Sequence, residues 1–178
     1  SKAFRSPRLA LQVCAERYKQ ASPNYNQMES IAEINNRRIY FKEFGTSKNW
    51  FSDFPNRNWS LIIIADDMNT NYFDEIIRKA IDNDVIFISS IGKHQELIHD
   101  LADEELEMRD VENQYLPKHN IITTGHEDFE EGIWFGIYVA ESIEKIIEQV
   151  LILDVSRNNR TKTIELIKKF ELGYLPKS

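Results

Sequence analysis

The sequence predicts an α/β domain built on a three-layer, mostly parallel, Rossmann-like sheet of about four to five strands, with helices on both faces. Three observations carry that prediction. From Trp59 onward, short β-branched runs alternate with longer stretches of helical periodicity. The strand-like runs are apolar at nearly every position, as strands covered on both faces are. Finally, the 178 residues are 42% hydrophobic and 11% aromatic, which is enough for one substantial core in one domain.

The elements follow in order. Ser60 to Ala65 is a continuous apolar run ending in the polar Asp66-Asp67-Met68-Asn69, which reads as a central strand and its loop. Between Asn71 and Asn83, Phe73, Ile76, Ile77 and Ala80 recur at helical spacing, with acids early and Arg78 and Lys79 late, as the helix dipole favours. Val85 to Ser89 is a second strand, and Gly92-Lys93 leads into a helix from His94 to Val111. Ile121 to Thr124 is a third strand, and Asp128 to Gln149 reads as one long helix whose propensity dips at Gly132 and Gly136. Val150 to Leu153 is a fourth strand, and a last helix runs from Thr161 to Glu171.

Residues 1–58 are expected to add an N-terminal helix, an edge strand and an aromatic loop, packed on the same domain as the 59–178 core. The helix ends at Gln20, before the break Ser22-Pro23-Asn24. Arg38 to Phe44 reads as a strand, and its charges suit a sheet edge. Trp50, Phe51, Phe54 and Trp59 form either a core flap or an exposed recognition patch, the latter being an interface in a larger assembly.

Composition narrows the function classes. Lys and Arg number 22 against 29 Asp and Glu, a formal charge of -7. A general nucleic-acid binder needs the opposite balance, so direct nucleic-acid binding is not expected. The apolar runs fall far short of the roughly 20 residues of a membrane helix, and the basic residues before Arg8 lead into no signal-peptide core. Cys14 is alone, so no intramolecular disulfide forms, and it reads as a structural thiol of a cytoplasmic protein.

Open parallel sheets bind ligands outside the carboxyl ends of their strands. Here that rule nominates Asp66 and Asp67, then Ser89, Ser90 and Lys93, then Thr123, Thr124, His126 and Glu127, and finally Asp154 and Ser156. His99, His126 and Asp66 are the candidates for acid–base chemistry, with Ser89 and His94 lining the same pocket. His94, His99, Asp103 and His126 could supply two or three metal ligands, and Asp66 or Asp67 another, though no zinc-type spacing supports it. The helix start after Gly92, flanked by Ser89, Ser90 and Lys93, offers a small-anion site. No dinucleotide or Walker fingerprint and no nucleophile elbow is present, so no cofactor is implied.

The acids are clustered. Asp100, Asp103, Glu104, Glu105, Glu107, Asp110 and Glu112 form one run, broken only by Arg109, and Glu127, Asp128, Glu130 and Glu131 a second; Asp100, Asp103, Glu104, Glu107 and Asp110 are the partner-binding candidates of the first. Such runs form either solvated helix faces or a negative patch that docks a basic partner. In size and charge the chain resembles bacterial toxin-immunity proteins. That resemblance implies inhibition of a basic toxin domain, in the first instance a nuclease, through both acidic runs. Locally, His99-Asp100 with Asp103-Glu104, and Thr123-Thr124-Gly125-His126 followed by acids and Trp134, resemble an uncharacterised family of small bacterial α/β domains over Trp59 to Ser156. Gly125 stands where that family has a bulkier residue. The leading expectation is an acidic immunity- or antitoxin-type inhibitor, and the alternative is an enzyme or ligand receptor using the strand-end rim.

Overall fold

The structure, a computed structural model, describes residues 28, 30–46, 49–66 and 70–177. The expected N-terminal helix, Cys14 and Asp67 lie outside the described residues. Six strands, β1 (Ser30–Ile34), β2 (Arg37–Glu43), β3 (Trp59–Ile64), β4 (Phe87–Ile91), β5 (Ile122–His126) and β6 (Gln149–Asp154), form one sheet. Their order is β1-β2-β6-β3-β4-β5. Only β1 runs antiparallel to its neighbour. Among the described residues four α-helices accompany them: α1 (Phe73–Asp82), preceded by a 3-10 turn at Thr70–Tyr72, α2 (Gln95–Val111), α3 (Phe129–Tyr138) and α4 (Arg160–Glu171).

The fully buried β3, apolar but for Ser60, sits between β6 on one side and β4 on the other. Its alternating side chains enter different clusters. Leu61 and Ile63 pack with Phe73, Ile76 and Ile77 of α1 and with Ile98 and Ala102 of α2. Ile62 and Ile64 pack with Ile133 and Ile137 of α3 and with Leu166 and Phe170 of α4. Period-two alternation along one strand therefore builds both apolar clusters.

Four expectations are corrected. The sheet has six strands rather than four to five, because β1 lies outside the runs expected as strands. Its partner β2 is not an edge, since it pairs with β1 and, in parallel, with β6. Of the charges that suggested an edge, Lys42 pairs with Asp53 whereas Arg38 is exposed, and Arg37, just before that run, is buried. Asn35 and Asn36, with φ of 54° and 58°, make the turn between β1 and β2. Two consecutive left-handed residues define the hairpin turn that matches strand twist, and Asn tolerates it better than any other non-glycine.

The long helix expected over 128–149 stops at Tyr138. Geometry explains the stop. A helix of that length would measure about 33 Å, whereas the six-residue strands span about 20 Å, so the chain has to turn back to start β6. Arg37 holds the turn, donating from Nη1 to the carbonyls of Gly136 (3.3 Å) and Ile137 (2.9 Å) and from Nη2 to Ala140 (2.6 Å). A buried guanidinium thus satisfies carbonyls that the ending helix leaves without partners. Ile143 and Ile146, which looked like a continuation of the apolar helix face, are exposed in the following segment.

The aromatic loop is core. Trp50, Phe54 and Trp59 are buried, with ring centroids 5.4 Å apart for Trp50 and Phe54 and 5.8 Å apart for Phe54 and Trp59. The exposed-patch alternative, and with it the apolar subunit interface, is overturned by that burial. Among the described residues no helix is long and apolar enough to cross a membrane.

Candidate functional site

The carboxyl ends of β3, β4, β5 and β6 form the expected rim, but most of its polar side chains are engaged in holding loops together. Asp154, fully buried at the end of β6, accepts from the backbone N–H groups of Ser156 (3.1 Å) and Asn159 (2.7 Å). Ser156 Oγ accepts from the backbone of Asp66 at 3.2 Å. Ser90 Oγ lies 2.9 Å from the Gln95 carbonyl and 3.1 Å from that of Thr124. Gly92 has a φ of +98°, and a Cβ there would meet Asp66 Oδ1 at 2.1 Å, so only glycine fits this turn. Gly125 also has a local reason: a Cβ would meet Gln95 Oε1 at 1.7 Å.

What remains open at the rim is a depression of about 390 Å³ lined by Asp66, Gly92, Lys93, Gln95, Glu96 and Glu127. Three carboxylates surround one lysine, so the small-anion site expected after Gly92 is electrostatically unfavourable. The pocket expected from Asp66, Ser89, His94 and His126 does not form. Ser89 and His126 lie on the sheet face shared with Phe87 and Ile91, beneath α3, whereas His94 packs against Phe73 of α1. Only Asp66 of the four lines the depression.

The histidines have separate surroundings. His99 Nδ1 is 3.4 Å from Asp103 Oδ2 on the outside of α2, and Asp103 Oδ1 also accepts from Thr123 Oγ1 at 3.3 Å. His126 stacks obliquely on Phe135, centroids 4.6 Å apart, and its Nε2 is buried without a hydrogen-bond partner. The hydroxyls of Ser89 and Thr124, neighbours across the β4–β5 ladder, are buried and unpartnered as well. Among the described residues, no three His, Cys, Asp or Glu side chains are arranged to hold a metal ion. The set His94, His99, Asp103 and His126 is therefore dispersed over different surroundings.

Burial pulls the His126 pKa below the ordinary histidine value, with Glu131 opposing. A histidine whose folded-state pKa is depressed leaves stability unaffected while it is neutral in both states. It costs stability as pH falls below the unfolded value of about 6.5, because the unfolded chain takes up the proton more readily. His126→Gln is expected to flatten the loss of stability between about pH 6.5 and 5. Urea midpoints measured across that range check it, and identical slopes for both proteins would contradict it.

The two acidic runs differ in availability. In the second, Asp128 is the N-cap of α3, its Oδ1 accepting from the Glu131 backbone at 2.8 Å, and Glu130 accepts from the Tyr174 hydroxyl at 2.6 Å. Only Glu127 and Glu131 are exposed without a role of this kind. In the first run, Ile98, Ala102 and Arg109 face inward, and Asp100, Asp103, Glu104, Glu107 and Asp110 are exposed. Arg109 is committed internally, donating to Glu105 (2.7 Å) and to Asp82 of α1 (2.8 Å). Among the described residues, Asp100, Glu104, Glu107 and Asp110 have no cationic partner.

Sequence reasoning missed what lies beside those acids. Leu97, Met108 and Val111 are 39%, 48% and 73% exposed. Spaced seven, four and three residues apart, Leu97, Glu104, Met108 and Val111 form one stripe along α2, flanked by Asp100 and Glu107. A shallow depression of about 300 Å³ lies at its end, lined by Glu104, Glu107, Met108, Val111 and Glu112. The signal was in the sequence: these apolar residues fall outside the inward row Ile98, Ala102, Arg109.

A family model described as a domain of unknown function (DUF7684) matches residues 39–170, from within β2 to within α4. It agrees with the expectation of an uncharacterised family and brings no link to toxin immunity. No curated protein and no solved structure matches the chain.

Proposed function

We propose, for a chain that belongs to the DUF7684 family, that its role is binding: the outer face of α2 docks a basic protein partner. One observation carries the reading. Exposed Leu97, Met108 and Val111 lie in a row with Asp100, Glu104 and Glu107, carboxylates without cationic partners among the described residues, and Asp110 lies further round the helix, on a protein of net charge -7. Apolar side chains supply contact area, while acids beside them steer and orient a basic surface. Glu127 and Glu131 extend the negative field from the neighbouring loop and helix start.

The finer form of the proposal is an immunity- or antitoxin-type inhibitor that covers a basic toxin domain, in the first instance a nuclease, in the cytoplasm. It is supported by charge sign and by the engagement of most rim groups in loop contacts. The same reading takes the sheet as the middle of a three-layer, Rossmann-like arrangement, supported by the two apolar clusters that β3 feeds. The test is capture from cells of the source organism with two tagged baits, wild type and the Asp100, Glu104, Glu107, Asp110 to lysine variant. A basic protein retained stoichiometrically by the first bait and absent from the second is the expected result. Equal retention by both removes the α2 face.

A further inference from the structure

The amino ends of the parallel strands carry a second feature, a group of basic side chains on a chain of net negative charge. Four connections meet there: the loop before β3, the α1–β4 turn, the α2–β5 loop, and the segment between α3 and β6. They line an open depression of about 280 Å³ whose wall includes Arg57, Lys118, His119 and Lys145, with Ile86 and Tyr115. Among the described residues, none of Arg57, Lys118 and Lys145 takes part in an ion pair. Three such cations around one depression are unusual on a chain with a surplus of seven acids.

One carboxylate belongs to the wall and two more lie near Lys145 in sequence, each held in place by a neutral donor. Asp84 is the one acid in the wall, and its Oδ1 accepts from the Tyr115 hydroxyl. Glu144 and Glu148, on either side of Lys145 in sequence, accept from Asn120 Nδ2 (2.7 Å) and Asn58 Nδ2 (3.1 Å). His119 Nε2 lies 2.9 Å from the Val85 carbonyl, which can only accept, so that nitrogen carries a proton. The wall is also anchored to the sheet. The Asn58 carbonyl accepts from the backbone of Glu148 (2.8 Å) and Gln149 (3.1 Å), and Ile86 N–H donates to Trp59 (2.9 Å).

The geometry points to a binding site for a small organic anion with two or more negative charges, a phosphate ester or a polycarboxylate. Cations brought together from separate loops repel one another, and an anion between them relieves that repulsion. The exposed ring of Tyr115 in the same wall offers contact area to the carbon part of such a ligand, and a volume of about 280 Å³ suits a small metabolite. The site lies at the end of the sheet opposite the rim and is independent of the α2 face.

The test uses the full chain with pyrophosphate and citrate as probes, titrated calorimetrically at low salt and followed by amide chemical shifts. Saturable binding of either probe, with shifts centred on residues 56–58 and 115–119, is the expected result; the probe bound more tightly identifies the class. Lys118→Gln combined with Lys145→Gln should weaken that binding at least about tenfold, two lost charge contacts of this kind being worth more than 1.4 kcal/mol. Both side chains are exposed, so the melting temperature should not move. If neither probe saturates, or if the double variant binds as the wild type does, the site does not exist.

Discussion

Replacing Asp100, Glu104, Glu107 and Asp110 together by lysine is expected to weaken the complex with the basic partner by about two to three orders of magnitude near 0.1 M salt. Each reversal turns an attraction into a repulsion, and about 1 kcal/mol per exposed charge sums to that range. Most of the loss should appear in the association rate, because exposed charges act by steering before contact. Wild-type affinity should fall as salt rises, whereas the variant's should stay flat or rise. Met108→Ala with Val111→Ser should instead raise the dissociation rate with little change in salt dependence, since it removes contact area rather than field. Reversal of Glu165 and Glu171 on the distant α4 serves as the control for net charge alone and should have a small effect. Surface plasmon resonance at three salt concentrations separates these cases.

Loss of Arg37 should produce the largest change in stability. Its guanidinium donates to three carbonyls where α3 ends, and burial shifts its pKa downward, Glu141 partly opposing. Arginine nevertheless remains charged at neutral pH, so the cost of burying it is met by those carbonyls and that carboxylate. Arg37→Ala leaves buried carbonyls without donors, at about 1–3 kcal/mol each where water cannot reach them. A net loss of about 3 kcal/mol is expected, or roughly 6–12 °C in melting temperature for a domain of this size. Arg38→Ala, one residue along on an exposed side chain, should change stability by less than about 0.5 kcal/mol. Calorimetry on the two variants decides it, and equal melting temperatures would show that Arg37 does not hold the turn.

Arg37 also marks where the sequence stops being informative. The mostly apolar strands β3 and β6 and the amphipathic α1 are legible from periodicity alone, because burial on two faces or on one leaves a local pattern. A charged residue that caps a helix a hundred positions away leaves none. Asn35-Asn36 did carry a local signal, a tight hairpin turn, which would have disclosed β1. The end of α3 was hidden for another reason. Ile143, Ile146 and Ile147 keep helical spacing, yet sheet height sets the length and only Ile147 is buried.

The candidate sites divide in the same way. The acids of α2 were legible because one helix gathers them within eleven residues, and their exposure follows from the inward row Ile98, Ala102, Arg109. The rim was legible as a location but not as chemistry. Asp154, Ser90 and Ser156 look available in sequence, whereas each is occupied by backbone groups of its own loops. Arg57, Lys118, His119 and Lys145 come from three separate connections, so no spacing rule could have joined them.

The central claim is that α2 is the contact surface. Amide hydrogen exchange on the protein alone and in complex with the retained basic partner tests it most directly. Added protection confined to the outer half of α2 and to residues 127–131 is the predicted result. Protection centred instead on residues 56–58 and 115–119, with α2 exchanging as in the free protein, would contradict the account.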